Sequence, residues 1–218
     1  RMLSAEDEAS KDCPILIYSD YKIVDEELQV IAPSFWRLVN IKPWHNSLNR
    51  LLVENVITGC TVMMNRKLVE MCLPFGKQII MHDWWMGLVA ALFGRLAYIE
   101  EQLVCYRQHD RNVIGARSNR NKIKDFIRKL LAGKVIKMYK MNRDIIKNGL
   151  VVEAAKQASS LLENYRELLN ANDKKIIEKL IEFSTSNILK KQYLMMRYGF
   201  FRGRFLENIE FFFQFYIG

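Results

Sequence analysis

Segments with the pattern of β-strands occur only in the first half of this sequence, and this uneven distribution constrains the fold more than any other feature. Apolar, β-branched runs bounded by Pro, Gly or Asp predict buried strands, and they fall at residues 14–20, 58–65, 95–100 and 102–109. Helical patterns lie between them, at residues 46–57, 66–72 and 82–94. A turn at Asp25-Glu26-Glu27 predicts a hairpin after the first strand. Strands interleaved with helices predict an α/β layered domain over residues 1–116.

From Arg117 onward the sequence changes character. Apolar residues recur at three- and four-residue spacing over residues 119–147, 151–170 and 173–197, which predicts amphipathic helices, the last capped by Asn172 or Asp173. Residues 1–116 contain 12 Lys and Arg and 14 Asp and Glu, a net charge of −2; residues 117–218 contain 21 and 10, a net charge of +11. We therefore predict a second unit, a basic amphipathic helical domain, over residues 117–218.

Two roles remain open for this basic helical region. Lys and Arg beside Phe and Tyr in residues 190–217 fit a segment that lies in the interface of an anionic membrane. The same pattern fits a helical bundle that packs on the α/β core with its basic faces in water. We expect no nucleic-acid partner, because the basic residues are dispersed and no DNA- or RNA-binding motif is present.

Composition narrows the class of protein further. The chain has 218 residues, 50% hydrophobic and 26% charged, which is typical of a globular protein. Its four cysteines are widely spaced and form no CxxC pair, which argues against a zinc site and for reduced thiols in the cytoplasm. No apolar stretch reaches the roughly 18–20 residues of a membrane span. Walker, GxGxxG and HExxH motifs are absent, as is a Ser/His/Asp triad.

The first candidate for chemistry is the run His82-Asp83-Trp84-Trp85 at the start of a predicted helix. A carboxylate flanked by two indoles can serve as a general base beside a flat apolar wall suited to a sugar ring. In the structural alternative, Asp83 caps the helix and both tryptophans fill the core.

A second candidate is the segment Tyr106-Arg107-Gln108-His109, which ends the last predicted strand. Ligands bind at strand ends in open α/β sheets; an imidazole can ligate a divalent cation, and a guanidinium can pair with phosphate. The alternative is a solvated loop.

Weaker candidates lie on the other strands. Gly59 lets the backbone pass close to a ligand, although a strand with a bulge would also need a glycine there. Cys60 has no His or Lys nearby in sequence, so a nucleophilic thiol is not expected. Asp20 can touch a ligand or belong to a turn, and His45, beside Trp44, is interpreted as structural or as a surface contact.

The order of these motifs resembles a known family. LIYSDYKIVDEELQVIAPSFW, then ITGCTVMMNRKLVE, then MHDWWMGLVAALFGRLAYIEEQLVCYRQHDRNVIGA is similar to the second half of a family-2 glycosyltransferase domain of the GT-A type. The resemblance covers about residues 12–116 and is closest to bacterial rhamnosyltransferases of cell-wall and capsule assembly. It implies a C-terminal half of a GT-A fold followed by a helical tail.

The resemblance also implies residue roles. Asp83 would be the base of an inverting displacement, with Trp84, Trp85, Gly59 and Cys60 around the acceptor and the donor sugar. His109 would complete an Mg²⁺ or Mn²⁺ site on the diphosphate, which Arg107 and Gln108 would contact. The implied donor is dTDP-rhamnose or a similar nucleotide sugar. The implied acceptor is a lipid-linked glycan or growing surface polysaccharide, reached from the cytoplasmic face of the cell membrane.

The sequence departs from the family in one large respect. The family's N-terminal part carries the nucleotide-binding βα units and a D-x-D metal motif, and the nearest match here, Asp20-Tyr-Lys, lacks the second Asp. We therefore expect a fragment that is inactive by itself. The alternative function is a non-catalytic helical module that binds a membrane or a partner and carries a degenerate transferase half.

Overall fold

The computed structural model describes residues 12–107 and 151–202. They form a mixed α/β structure around one four-stranded mixed sheet. The strands are β1 (Ile15–Val24), β2 (Val30–Ala32), β3 (Val62–Met64) and β4 (Arg95–Arg107). The helices are α1 (Phe35–Val39), α2 (Leu48–Leu51), α3 (Arg66–Cys72), α4 (His82–Phe93), α5 (residues 151–165), α6 (Ala171–Thr185) and α7 (Ile188–Tyr198). The α/β class predicted from the sequence is confirmed at this level.

The strand β1 organises the sheet, since every other strand pairs with it. Strand β4 runs parallel to it over its whole length, from Ile15 opposite Arg95 to Val24 opposite Arg107. Strands β3 and β2 pair antiparallel with the beginning and the end of β1, respectively. The predicted hairpin is confirmed: the Asp25 carboxylate accepts the backbone N–H groups of Glu27 and Gln29 at the turn.

The last two predicted strands are one strand in the structure. β4 continues from Arg95 to Arg107. The polar residues between the two apolar runs form bulges within it. The register moves from Ser19–Ile99 to Asp20–Gln102 and then to Tyr21–Val104, so β4 carries extra residues opposite Asp20. Bulges bend a strand and re-aim its side chains, and the continuous pairing with β1 keeps the two halves together.

Two further predictions are corrected in extent. The strand predicted at 58–65 begins only at Val62, because residues Gly59–Thr61 form a 3₁₀ turn. The helix predicted over 46–57 is limited to Leu48–Leu51 and starts after Ser47. The helix α3 agrees with its prediction, since the Asn65 side chain caps it by accepting the N–H of Leu68 at 3.1 Å.

The helix α4 is apolar on nearly every side and is buried from Asp83 through Ala90. A helix that is hydrophobic all round belongs in the core. It ends at Gly94, as predicted, and the next N–H, from Arg95, donates to the carbonyl of Pro14 at 2.9 Å. The turn after α4 is therefore what places β4 alongside β1.

The C-terminal helices are shorter than predicted. The predicted helix 151–170 ends at residue 165, and the predicted helix 173–197 is divided into α6 and α7 at Ser186 and Asn187. Asn170 caps α6, rather than Asn172 or Asp173, by accepting the N–H of Asp173 at 2.9 Å. The predicted helix 119–147 and the domain boundary at residue 117 lie outside the described residues, so both stay predictions.

A single hydrophobic cluster joins the sheet to these helices. It includes Leu16 and Tyr18 of β1, the α4 side chains, and residues of α5, α6 and α7 such as Leu161, Phe183 and Met195. Burial of apolar surface is the main stabilising contribution, so the helices are part of the same packed unit as the sheet. Within residues 151–202 the basic region therefore packs on the core, which was one of the two roles that the sequence left open.

Candidate active site

The Asp83 carboxylate lies at the beginning of α4 and is held by three N–H donors. Its side chain is 3% exposed. Oδ2 accepts the backbone N–H of Gly59 at 2.8 Å, and Oδ1 accepts the Asn55 amide at 3.2 Å and the Trp84 N–H at 2.7 Å. Met81 is the N-cap, so Asp83 sits within the first turn rather than at the cap. The positive end of the helix dipole favours a negative charge there.

The geometry leaves one oxygen of this carboxylate less occupied than the other. An ionised carboxylate offers about four acceptor sites. Among the described residues, Oδ1 accepts two hydrogen bonds and Oδ2 accepts one. Oδ2 therefore keeps the capacity to accept one further donor, which is the requirement for a base that takes a proton from a hydroxyl group.

Gly59 lies directly against Asp83. A Cβ added at Gly59 would lie 2.9 Å from Nε2 of His82 and 3.3 Å from Oδ2 of Asp83. The absence of a side chain is what allows the Gly59 N–H to reach the carboxylate. Cys60 follows at the surface, and desolvation around its sulfur raises the pKa of the thiol, with a smaller contribution from Asp83. A raised pKa keeps the sulfur protonated and weakly nucleophilic.

Tyr21 of β1 connects this turn with the end of β4. Its ring stacks on Phe35 with centroids 4.5 Å apart and lies 5.5 Å from the ring of Tyr106. Burial raises the pKa of its hydroxyl, and Cys60 and Tyr106 add to that effect. The 3₁₀ turn Gly59–Thr61 contacts both β1 and β4, so the motifs around Gly59, Asp83 and Tyr106 lie close together.

The structure places both tryptophans of the motif in the core. Trp84 is 4% exposed and Trp85 is fully buried, and the Trp84 indole donates to the carbonyl of Leu51 at 2.5 Å. The Trp85 ring packs 6.0 Å from that of Tyr165 on α5. The expected wall of indoles facing a sugar is therefore not formed, because their apolar surface is used to pack α4 against its neighbours.

Of the remaining predicted site residues, the structure describes only Arg107, the last residue of β4. Arg107 is exposed and pairs in register with Val24. Gln108 and His109 lie outside the described residues, so their roles stay predictions. Within residues 12–107 and 151–202, no three His, Cys, Asp or Glu side chains come together as a metal-binding group.

Sequence reasoning missed a second site, a cleft of about 330 Å³ beside the bulge in β4. Of its lining residues the sequence singled out only Asp20, and the proximity of Asp20 to Trp44 could not be predicted. The cleft depends on α1 and on the register of β4, and both bring together residues far apart in the sequence. The local clue was Asp20, an acidic residue within a mainly apolar strand.

Comparisons with known proteins returned no relative. No family model, no curated protein and no solved structure matches the chain. In the part of the chain that the structure describes, no helix has the length and apolar composition to cross a membrane. The fold and site thus define a mixed α/β protein with a buried carboxylate at the start of a core helix.

Proposed function

We propose that this chain is the acceptor-side part of an inverting glycosyltransferase of the GT-A type, with Asp83 as the general base. The observation that carries the proposal is the Asp83 carboxylate, fixed by Gly59, Asn55 and the first turn of α4, with one acceptor position left on Oδ2. The convergence of the motifs around Gly59, Asp83 and Tyr106 supports it, since the resemblance rests on these motifs.

The proposed reaction is the inverting displacement that the resemblance implies, with this oxygen as the base. Oδ2 takes the proton of an acceptor hydroxyl, whose oxygen attacks the anomeric carbon of the donor sugar. A C–O bond forms on one face while the bond to the nucleoside diphosphate breaks on the other, and the diphosphate leaves with the electron pair. The configuration at the anomeric carbon is inverted. The N–H donors hold the carboxylate in place before the acceptor arrives, which lowers the entropic cost of the reaction.

The substrates come from the resemblance: dTDP-rhamnose or a similar donor, and a lipid-linked glycan or growing surface polysaccharide at the cytoplasmic face of the cell membrane. Mg²⁺ or Mn²⁺ would screen the diphosphate charge. Among the described residues no group of three His, Cys, Asp or Glu side chains is placed to hold that cation. In the steps above, Asp83 is the protein group that moves a proton.

A transfer assay tests this function. The full-length protein that carries this chain is incubated with labelled nucleotide sugars, dTDP-rhamnose first, with Mg²⁺ or Mn²⁺ and membranes bearing lipid-linked glycans. We expect label in the lipid-extractable fraction and an inverted anomeric configuration by NMR. Absence of transfer from every donor, or a retained configuration, would contradict the proposal.

A second candidate function, docking on an anionic membrane, is favoured by one face of α7. Leu189, Tyr193 and Met196 recur at four- and three-residue spacing and are all exposed. Residues 187–202 contain four basic residues and no acidic one. An exposed apolar stripe flanked by basic residues is the arrangement of helices that lie in the membrane interface.

Vesicle sedimentation tests this second candidate function. We expect the chain to bind vesicles rich in phosphatidylglycerol more strongly than phosphatidylcholine vesicles, with binding that weakens as salt is added. Met196→Ser should weaken binding, whereas Leu168→Ser, an exposed leucine outside α7, should not. Equal binding to both vesicle types would exclude this candidate.

A further inference from the structure

The cleft beside β4 has a rigid floor built on Asp20. This buried carboxylate accepts four hydrogen bonds, from the N–H groups of Tyr21 and Trp36, the Ser34 hydroxyl and the Gln102 amide, at 2.5–3.1 Å. All of its acceptor capacity is therefore used by the protein. These bonds tie β1, α1 and β4 together, so the cleft is formed before any ligand arrives.

One wall of the cleft is an exposed indole. Trp44 is 53% exposed although it is one of the largest apolar side chains, and it borders the cleft next to Pro43. The Lys42 ammonium lies 5.5 Å from its ring centroid, a cation–π contact that orients the indole. An amphipathic ring held at the mouth of a cleft offers contact area to a ligand at a low entropic cost.

The rim carries polar side chains that form no hydrogen bond with the described residues. Within residues 12–107 and 151–202 the side chains of Arg37, Asn40 and Glu100 make no hydrogen bond, and all three residues are exposed and line the cleft. They supply donors and acceptors around the indole.

The charges of the lining cancel. Arg37 and Lys42 are equal in number to Asp20 and Glu100, so the lining lacks the excess of positive charge that favours a diphosphate or another anion. Mixed donors and acceptors around an aromatic ring complement a neutral polyhydroxylated ring, whose C–H face packs on the indole while its hydroxyl groups bond at the rim. The volume of about 330 Å³ accommodates one such ring.

We propose that this cleft is a carbohydrate-binding subsite that takes one neutral sugar unit of a glycan, with Trp44 as its platform. The assignment is separate from the chemistry of Asp83, and it holds whether or not that carboxylate acts as a base. The cleft is not proposed as the nucleotide site, because a nucleoside diphosphate is strongly anionic.

NMR of the indole N–H groups tests the proposal on the full chain. Trp44→Phe identifies the Trp44 resonance among the four tryptophans. The probes are methyl α-rhamnoside, methyl β-glucoside and di-N-acetylchitobiose at up to tens of millimolar, with dTDP as the anionic comparison. We expect a saturable shift of the Trp44 resonance with at least one neutral probe and none with dTDP. A shift with dTDP alone, or no saturable shift, would overturn the proposal.

Two variants show whether the platform is responsible. Trp44→Ala should weaken binding of that neutral probe by about tenfold or more, measured by calorimetry. Tyr193→Ala removes an equally exposed aromatic side chain from α7 and should leave the affinity unchanged. Unaltered affinity in Trp44→Ala would overturn the assignment. Neither measurement involves Asp83, so a failure of this proposal can be told apart from a failure of the catalytic proposal.

Discussion

At the scale of single residues, the two buried aspartates differ in how much of each carboxylate the protein occupies. Asp20 accepts four hydrogen bonds, two on each oxygen. Asp83 accepts three, and only one of them on Oδ2. Asp20 therefore has a structural role, whereas Asp83 can still accept a hydrogen bond from one more donor. Both were visible in the sequence as acids in apolar surroundings, and only their partners distinguish them.

His45 gives a prediction at this scale. Desolvation lowers the pKa of its imidazole, and the nearby charges of Arg50 and Lys42 lower it further. His45 therefore binds a proton more readily in the unfolded state than in the folded state. As the pH falls below the usual histidine pKa of about 6.5, this difference lowers the stability of the fold. We expect His45→Gln to reduce the decline of the melting temperature between neutral pH and the range where carboxylates titrate. Parallel pH profiles for variant and wild type would contradict this.

At the scale of elements, the junction between α4 and β4 depends on Gly94. A Cβ there would lie 1.8 Å from the carbonyl oxygen of Pro14, which is a backbone atom that cannot move without shifting β1. At Gly87, inside α4, a Cβ would meet only the terminal methyl of Ile57, at 2.3 Å. The two glycines thus have different neighbours and different tolerance to substitution.

We expect Gly94→Ala to destabilise the fold by about 3 kcal/mol or more. Gly87→Ala should cost no more than about 1 kcal/mol, because the Ile57 side chain can rotate away and alanine favours a helix. Urea denaturation of the two variants measures the difference. Equal destabilisation would show that the contact with Pro14 does not control the junction.

Helix ends and caps could be predicted from the sequence where the residues that determine them are neighbours in the chain. The Asn65 cap, the span of α4 and its end at Gly94 follow from residues within one turn of each other. The bulge in β4 and the cleft beside it were not predictable. They depend on Asp20 meeting Ser34, Trp36 and Gln102, up to 82 positions away. The division of α6 from α7 was missed because the helical period continues across Ser186.

At the scale of the whole molecule, α5 is joined to the α/β part by buried polar contacts as well as by the core. The Gln157 amide oxygen accepts the N–H of Ile80 at 2.9 Å, and the Ser160 hydroxyl accepts that of Gln78 at 3.2 Å. The Tyr165 hydroxyl donates to the carbonyl of Met71 at 2.7 Å. These bonds lead to the segment just before the Asp83 turn, so the helices support the candidate site.

We therefore expect one cooperative unfolding transition. All four tryptophans lie between residues 36 and 85, so their fluorescence reports on the α/β part, while far-UV circular dichroism is weighted toward the helices. The two signals should have the same midpoint. Gln157→Met, which leaves the Ile80 N–H without its acceptor, should lower both midpoints together, at a cost of about 1–3 kcal/mol. Separate midpoints would instead indicate two independent units.

The measurement that tests the central claim most directly is sugar transfer by Asp83→Asn in the full-length protein. We expect the rate of transfer to fall by about 10²–10⁴-fold, because the variant has no carboxylate to take the proton. Asn170→Ala serves as the control: it removes the cap of α6 at a cost of about 1 kcal/mol and lies outside the proposed site. It should retain transfer, and both proteins should remain folded by circular dichroism. A folded Asp83→Asn protein that transfers sugar at the wild-type rate would contradict the assignment of Asp83 as the base.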